Sequence, residues 1–160
     1  KMIDGNNGLD GDGPFSTDRS CGLPVGQLID MCYSGNYSYQ EMRRKIKGLG
    51  GLMSYVGETD VLKIQKRALE QNDEKAKEAL LAMCYQTSKE IGAMSTVVGG
   101  KIAAILITGG IAHSDFLMNE IKKRVEFIAP VHLYPGEFEM ESLGVNVYKA
   151  LIGEEPIKEL

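Results

Sequence analysis

Cysteine is scarce in this sequence. Its three copies, Cys21, Cys32 and Cys84, are odd in number and show no CxxC spacing, which argues against a disulfide framework or a thiolate zinc site and for reduced thiols in a cytosolic protein. Histidine is scarcer still: His113 and His132 lie near two predicted strand ends with no third ligand at a convincing spacing, so a zinc site is not expected. Long apolar runs are missing; the longest, Ile102 to Ile107, is far too short to span a bilayer, and no secretory signal is visible. Positive charge is in deficit, with a net charge of −4, which argues against a nucleic-acid partner. The local cluster Arg43, Arg44, Lys45 and Lys47 has Glu41 beside it and reads as a solvated helix face. Absent too are the GxGxxG fingerprint, the Walker lysine loop, internal repeats and low-complexity tracts.

What remains is an ordinary balance, 43% hydrophobic and 25% charged over 160 residues, enough for one domain with a real core. The segment from Asp4 to Gly26 is dense in Gly, Pro, Asp, Asn and Ser and is expected to be a functional loop without regular structure. Helices are predicted next. Pro24 opens one whose apolar face holds Leu28, Ile29, Met31 and Cys32, and Gly35 closes it. Ser38 and Glu41 form a capping-box pattern before Met42 and Ile46, and Gly48, Gly50 and Gly51 break the chain. Val61, Ile64, Ala68 and Leu69 mark a further helix, and Asn72-Asp73 a break and a cap. A long helix over 74–98 carries Ala76, Leu80, Met83, Cys84, Ile91, Met94 and Val98 at helical spacing, widened by Ala79, Leu81 and Tyr85, so cover on more than one side is expected.

Beyond Gly99-Gly100, the β-branched run Ile102–Ile107 predicts a buried parallel strand. Ser114 and Asp115 cap a helix with Leu117, Ile121, Val125 and Ile128 on its apolar face, and Pro130 ends it. Val131–Tyr134 reads as a second strand, and a last helix carries Met140, Leu143, Val147 and Leu151. The order strand, helix, strand, helix makes a βαβα unit with parallel strands. Ligands of such sheets bind beyond the carboxyl ends of the strands, here the turns 108–114 and 134–139.

Three places can carry chemistry. Thr108-Gly109-Gly110-Ile111-Ala112 lets backbone approach a ligand, or simply lets helix and strand pack. In the loop, Arg19 offers a planar fork suited to an anion, and Asp4, Asp10, Asp12 and Asp18 are candidates for Mg²⁺; the plainer reading is a polar surface loop with an Arg–Asp pair. Glu137 and Glu139 can position a metal bound to phosphates, or compensate a helix dipole. Cys32 and Cys84 read as core, and nothing near Cys21 completes a Cys–His pair.

Together these stretches resemble the butyrate kinases of the acetate kinase family. The resemblance lies in Ile3–Ser16, with its N-N-x-L-D-G-x-G-P-F-S run, in Arg19-Ser20 with Gly22-Leu23-Pro24, in Ile107–Ala112, and in Tyr134–Glu137 with Glu139–Glu141. It implies an α/β fold: a partial ribonuclease H-like (actin-like ATPase) domain with a largely helical insertion and a C-terminal βαβα unit. The implied division is an active-site strand and loop over 1–26, a helical region over 27–100 and a nucleotide-binding unit over 101–155. The implied reaction is reversible phosphoryl transfer between ATP and butanoate, with ADP as product and Mg²⁺ accompanying the nucleotide. By the same resemblance Arg19 is catalytic, Gly109, Gly110 and Ile111 meet the nucleotide, and Glu139, with Glu137 second, stands near the metal. Phe138 departs from the polar residue expected there.

The resemblance also leads to the expectation of an N-terminal domain and a three-glycine phosphate hairpin ahead of Lys1, so these residues alone should be inactive. Association into homo-oligomers through this domain is a further expectation. A kinase for a branched or longer acid, or a non-catalytic nucleotide-binding or assembly module, are the competing readings.

Overall fold

The computed structural model describes residues 2–136 and 139–157, the side chain of Glu139 lying outside that description. Helices α1 (Val25–Tyr33), α2 (Tyr39–Ile46), α3 (Gly51–Val56), α4 (Val61–Glu70) and α5 (Glu74–Ser95) come first. Strand β1 (Ile105–Gly109), helix α6 (Asp115–Val125), strand β2 (Val131–Pro135) and helix α7 (Glu139–Leu151) follow.

Caps written in the sequence set most of the helix starts. The Ser38 hydroxyl accepts from the Glu41 N–H while the Glu41 carboxylate accepts from the Ser38 N–H, completing the capping box of α2. Asp60, Asp73 and Ser114 do the same work singly for α4, α5 and α6, accepting from Leu62 and Lys63, from Ala76 and from Leu117. Asn72, with φ of 55°, turns the chain between α4 and α5. The glycine-rich stretch after α2 behaves less simply than expected. It breaks the chain, but its last member opens α3, a helix that glycine propensity alone would not predict.

Helix α5 is the axis of the fold, packed by α3, α4 and α6. Its Leu80, Met83 and Cys84 join Leu52, Ile64, Leu117, Met118, Ile121 and Val125 in one buried cluster. Each such aliphatic side chain contributes about 1.5–3 kcal/mol by burial. Cover on several sides explains why the stripe of α5 is broad, although Tyr85 at its edge stays exposed. Cys32 does too, contrary to its reading as core, because α1 buries none of its residues.

The two strands pair in parallel, from Ile105 opposite Val131 to Gly109 opposite Pro135. Strand β1 starts three residues later than the apolar run. Ile105, Ile107, Val131 and Leu133 face the core, whereas Leu106 is 62% exposed. The expectation of a strand covered on both faces is thus met on one face only. Helix α7 likewise leaves Met140, Leu143, Val147 and Leu151 exposed. Among the described residues, no helix is long and apolar enough to cross a membrane.

Candidate functional site: an arginine loop and a glycine turn

The loop before α1 is held by hydrogen bonds concentrated between Asn7 and Gly22. A single 3-10 turn over Gly8–Asp10 interrupts it, and the N–H groups of Asp10 and Asp12 both donate to the Asn7 carbonyl. At its second bend the chain is docked onto the start of α3. Leu52 N–H donates to the Ser16 carbonyl at 3.0 Å and Met53 N–H to the Thr17 carbonyl at 2.9 Å. Helix starts carry N–H groups with no partner inside the helix, and here the loop satisfies two of them. The Asp18 carbonyl accepts from Gly48 and Gly50, and Ser20 N–H donates to the Ile46 carbonyl.

That docking requires glycine. A Cβ on Gly51 would stand 2.0 Å from the Ser16 carbonyl oxygen, and one on Gly50 would stand 2.5 Å from the Ser20 nitrogen. Gly51 also has φ of +55°. Sequence reasoning took these glycines as punctuation; a glycine pair immediately ahead of an apolar helix start was the signal for a close backbone contact.

Arg19 sits at this docked bend. Its backbone pairs with Lys47 in an isolated bridge, and its N–H donates to the Ser16 hydroxyl. The guanidinium lies over Gly8, whose Cβ position is 3.6 Å from Nη1. The Asp18 carboxylate is 3.9 Å from Nε, too far for a hydrogen bond. Nε is buried without a partner in the described structure. The Arg–Asp pair of the plainer reading is therefore present only as a long, unbonded ion pair, which leaves the terminal Nη donors of Arg19 for an anion.

The glycine turn follows β1 directly. Gly109 has φ of +88° and ψ of 175°, a region that essentially belongs to glycine, and a Cβ there would meet nothing within 4 Å. Its carbonyl accepts from Gly136 N–H, so the turns after β1 and β2 stand side by side, as a parallel pair requires. The next residues, Gly110–His113, form a short 3-10 turn, which puts His113 in the turn itself. The Ile111 side chain is partly buried and packs against the core. The loop and the turn, some ninety residues apart in sequence, border one largely apolar cavity of about 240 Å³: Pro14, Phe15 and Ser16 on one side, Thr108 and Ile111 on the other, and side chains of β1, α5 and α6 for the rest. Arg19 is not in its lining.

The acidic residues behave differently from their sequence reading. Asp10 accepts from Arg43 at 2.9 Å and from Asn7 at 3.0 Å; the hydrogen bond and charge of Arg43, with help from Asn7, hold its carboxyl below the ordinary range. Asp12 accepts from the backbone of Asn7 and Gly13. Among the described residues no three Asp, Glu, His or Cys side chains come together to hold a metal ion. The loop is not the Mg²⁺ cage its four aspartates suggested, because hydrogen bonds within the loop and to α2 engage Asp10 and Asp12. Glu137 and the Glu139 side chain fall outside the described residues. Burial pushes the Cys84 thiol up to about 11, so it stays protonated and inert.

Comparison with known proteins gives the fold first. The chain superposes on acetate kinases from Porphyromonas gingivalis and Entamoeba histolytica, each with a TM-score of 0.73 over 86% of this chain, at 17% and 13% identity. A propionate kinase from Francisella tularensis matches with a TM-score of 0.63 over 79%. These matches cover 41%, 42% and 38% of the solved chains respectively. The fold is thus a partial α/β domain of the acetate kinase, actin-like type. Residues 15–134 match the model of the Acetokinase family, and the chain belongs to that family. A probable butyrate kinase from Bacteroides thetaiotaomicron is 52% identical over 158 residues, covering 99% of this chain and 44% of the relative. The chain therefore spans less than half the length of that relative.

Proposed function

We propose that this chain supplies one side of the active cleft of a carboxylate kinase, and that the acid phosphorylated is butanoate. The observation that supports this reading is that the loop carrying Arg19 and the turn after β1 border one cavity, through Pro14–Ser16 on one side and Thr108 and Ile111 on the other. The resemblance to a probable butyrate kinase supports the finer choice of acid.

The chemistry is a transfer between two anions. A carboxylate oxygen of butanoate attacks the γ-phosphorus of ATP; the new O–P bond forms as the bond from that phosphorus to the β–γ bridging oxygen breaks, and ADP leaves with the electron pair. Charge spreads over the transferring group, and the protein's work is to position the reactants and neutralise that charge. Arg19 is the cation for this role. Its planar fork matches phosphoryl oxygens, and its backbone is pinned so that little freedom is lost on binding. Gly109 leaves open space where a nucleotide can lie against backbone. Mg²⁺, expected with the nucleotide, has no assembled ligand set among the described residues; when bound it would add charge neutralisation to that of Arg19. No covalent enzyme intermediate is needed.

The test is hydroxamate detection of acyl phosphate by the whole protein, with ATP, Mg²⁺ and a series of acids. Turnover highest with butanoate is expected. A clear preference for acetate, propionate or a branched acid would keep the kinase and replace the substrate; no acyl phosphate from any acid would remove the reading altogether. Residues 1–160 alone, shown to be folded by circular dichroism, should bind nucleotide weakly and not turn over.

A further inference from the structure

Helix α2 does more than expose a basic face. The Arg43 guanidinium, 2.9 Å from Asp10, reaches across 33 residues of sequence to the first turn of the arginine loop. Asp10 is in turn held by Asn7, whose carbonyl gathers the Asp10 and Asp12 N–H groups. This turn is the floor beneath Arg19. Gly8 lies under the guanidinium, and a Cβ on Gly11 would stand 3.3 Å from both the Ser20 hydroxyl and Ile46 of α2. The same helix anchors the other side of the loop, through the Ile46 carbonyl to Ser20 and the Lys47 bridge to Arg19.

We infer that Arg43 is a positioning residue: through Asp10 it fixes the Asn7–Gly11 turn against α2 and thereby sets the reach of the Arg19 guanidinium. This rests on the proposed role of Arg19. Neither Arg43 nor Asp10 lines the cavity beside the glycine turn. Both side chains are about half exposed, and an exposed ion pair adds little to global stability. Its leverage is local. The 7–11 turn has no sheet partner and packs on few side chains, so a small bias decides which of its arrangements is populated. Displacement of a charge-stabilising group by about 1 Å can cost on the order of a hundredfold in rate.

The experiment is a charge-swap cycle in the whole protein: Arg43→Glu, Asp10→Arg and the two combined. Acyl phosphate formation, thermal midpoint and backbone hydrogen exchange over residues 7–20 are measured for each. Each single variant should lower kcat about tenfold with KM for ATP changed less than threefold, keep the wild-type midpoint, and exchange faster in the loop. The double variant should recover kcat to within about threefold and restore slow exchange. Unchanged kcat and exchange in the singles would overturn the inference, as would a double variant no better than either single. A large fall in thermal midpoint would make the pair a structural brace and likewise overturn it. An inactive wild type would remove the kinase reading itself, and the exchange measurements would still decide whether Arg43 holds the turn.

Discussion

The two halves of the candidate site are built in opposite ways. The arginine loop has little structure of its own and is shaped by what surrounds it: the glycine floor of α3, the carbonyl of Ile46 and the side chain of Arg43. The glycine turn is shaped mainly by its own dihedrals, with Gly109 in a glycine-only conformation, no neighbour within 4 Å of its Cβ position and one backbone hydrogen bond from Gly136. A loop held from outside fails when its supports are altered. A turn held from within fails when its own dihedrals are.

The largest effect should come from the residue the loop presents. In the whole protein, Arg19→Ala should lower kcat about 10³-fold or more, as for other charge-stabilising arginines, with ATP affinity changed far less. Arg19→Lys should recover little, because an ammonium lacks the planar fork. Steady-state kinetics decides: near-normal turnover in the alanine variant would leave Arg19 as a loop residue only.

Next comes the start of α3, on which the loop backbone is docked. Gly51→Ala places a Cβ against the Ser16 carbonyl at φ of +55°, and backbone cannot move aside cheaply. A loss of about 3 kcal/mol in denaturant titration is expected, from a clash and an unfavourable dihedral together. A neutral result would show that the loop can dock elsewhere.

The inner-built turn should respond more mildly. Gly109→Ala meets open space, so its cost is the dihedral alone, about 1–2 kcal/mol. Weaker ATP binding in calorimetry should accompany it, since the new methyl group occupies the side left open. Equal affinity would take the turn out of the nucleotide site.

Smaller again is Ser38→Ala. It removes one half of the capping box of α2 and should cost about 1 kcal/mol in a thermal melt, loosening a support two steps removed from Arg19. The smallest effect belongs to pH. Asp10 has a folded-state pKa held below its ordinary value near 3.8, so its pairing is intact above that value and lost as pH falls through the lower one. Between pH 5 and 8 the protonation of Asp10 should leave loop exchange unchanged; a change in loop exchange traced there to Asp10 would place a different environment around it.

Much of the fold could be read directly from the residues. The capping box at Ser38, the caps at Asp73 and Ser114, the stripe of α5 and the parallel βαβα order depend on spacing within one element, and local spacing is what a sequence displays. The candidate site was proposed where a residue type has one strong use: an arginine among glycines, and two glycines after a strand. Arg43 was not readable. Its partner lies 33 residues away, and a basic residue beside Glu41 fits a solvated face equally well. The four aspartates misled because composition counts carboxylates without showing which hydrogen bonds they make.

The sequence by itself determined where the capped helices begin, which faces are apolar and which family the chain resembles, because capping, periodicity and motif spacing act over a few residues; the start of β1 and the whole of α3 were left to the fold. Tertiary structure alone decided that Gly50 and Gly51 are a docking floor, that Asp10 belongs to α2 through Arg43, and that Pro14–Ser16 meets Thr108 and Ile111. It also decided which apolar faces were covered. The stripe of α5 is buried and that of α7 is exposed, although both have helical spacing. Periodicity names the face that seeks a partner, and only the packed chain shows which faces find one.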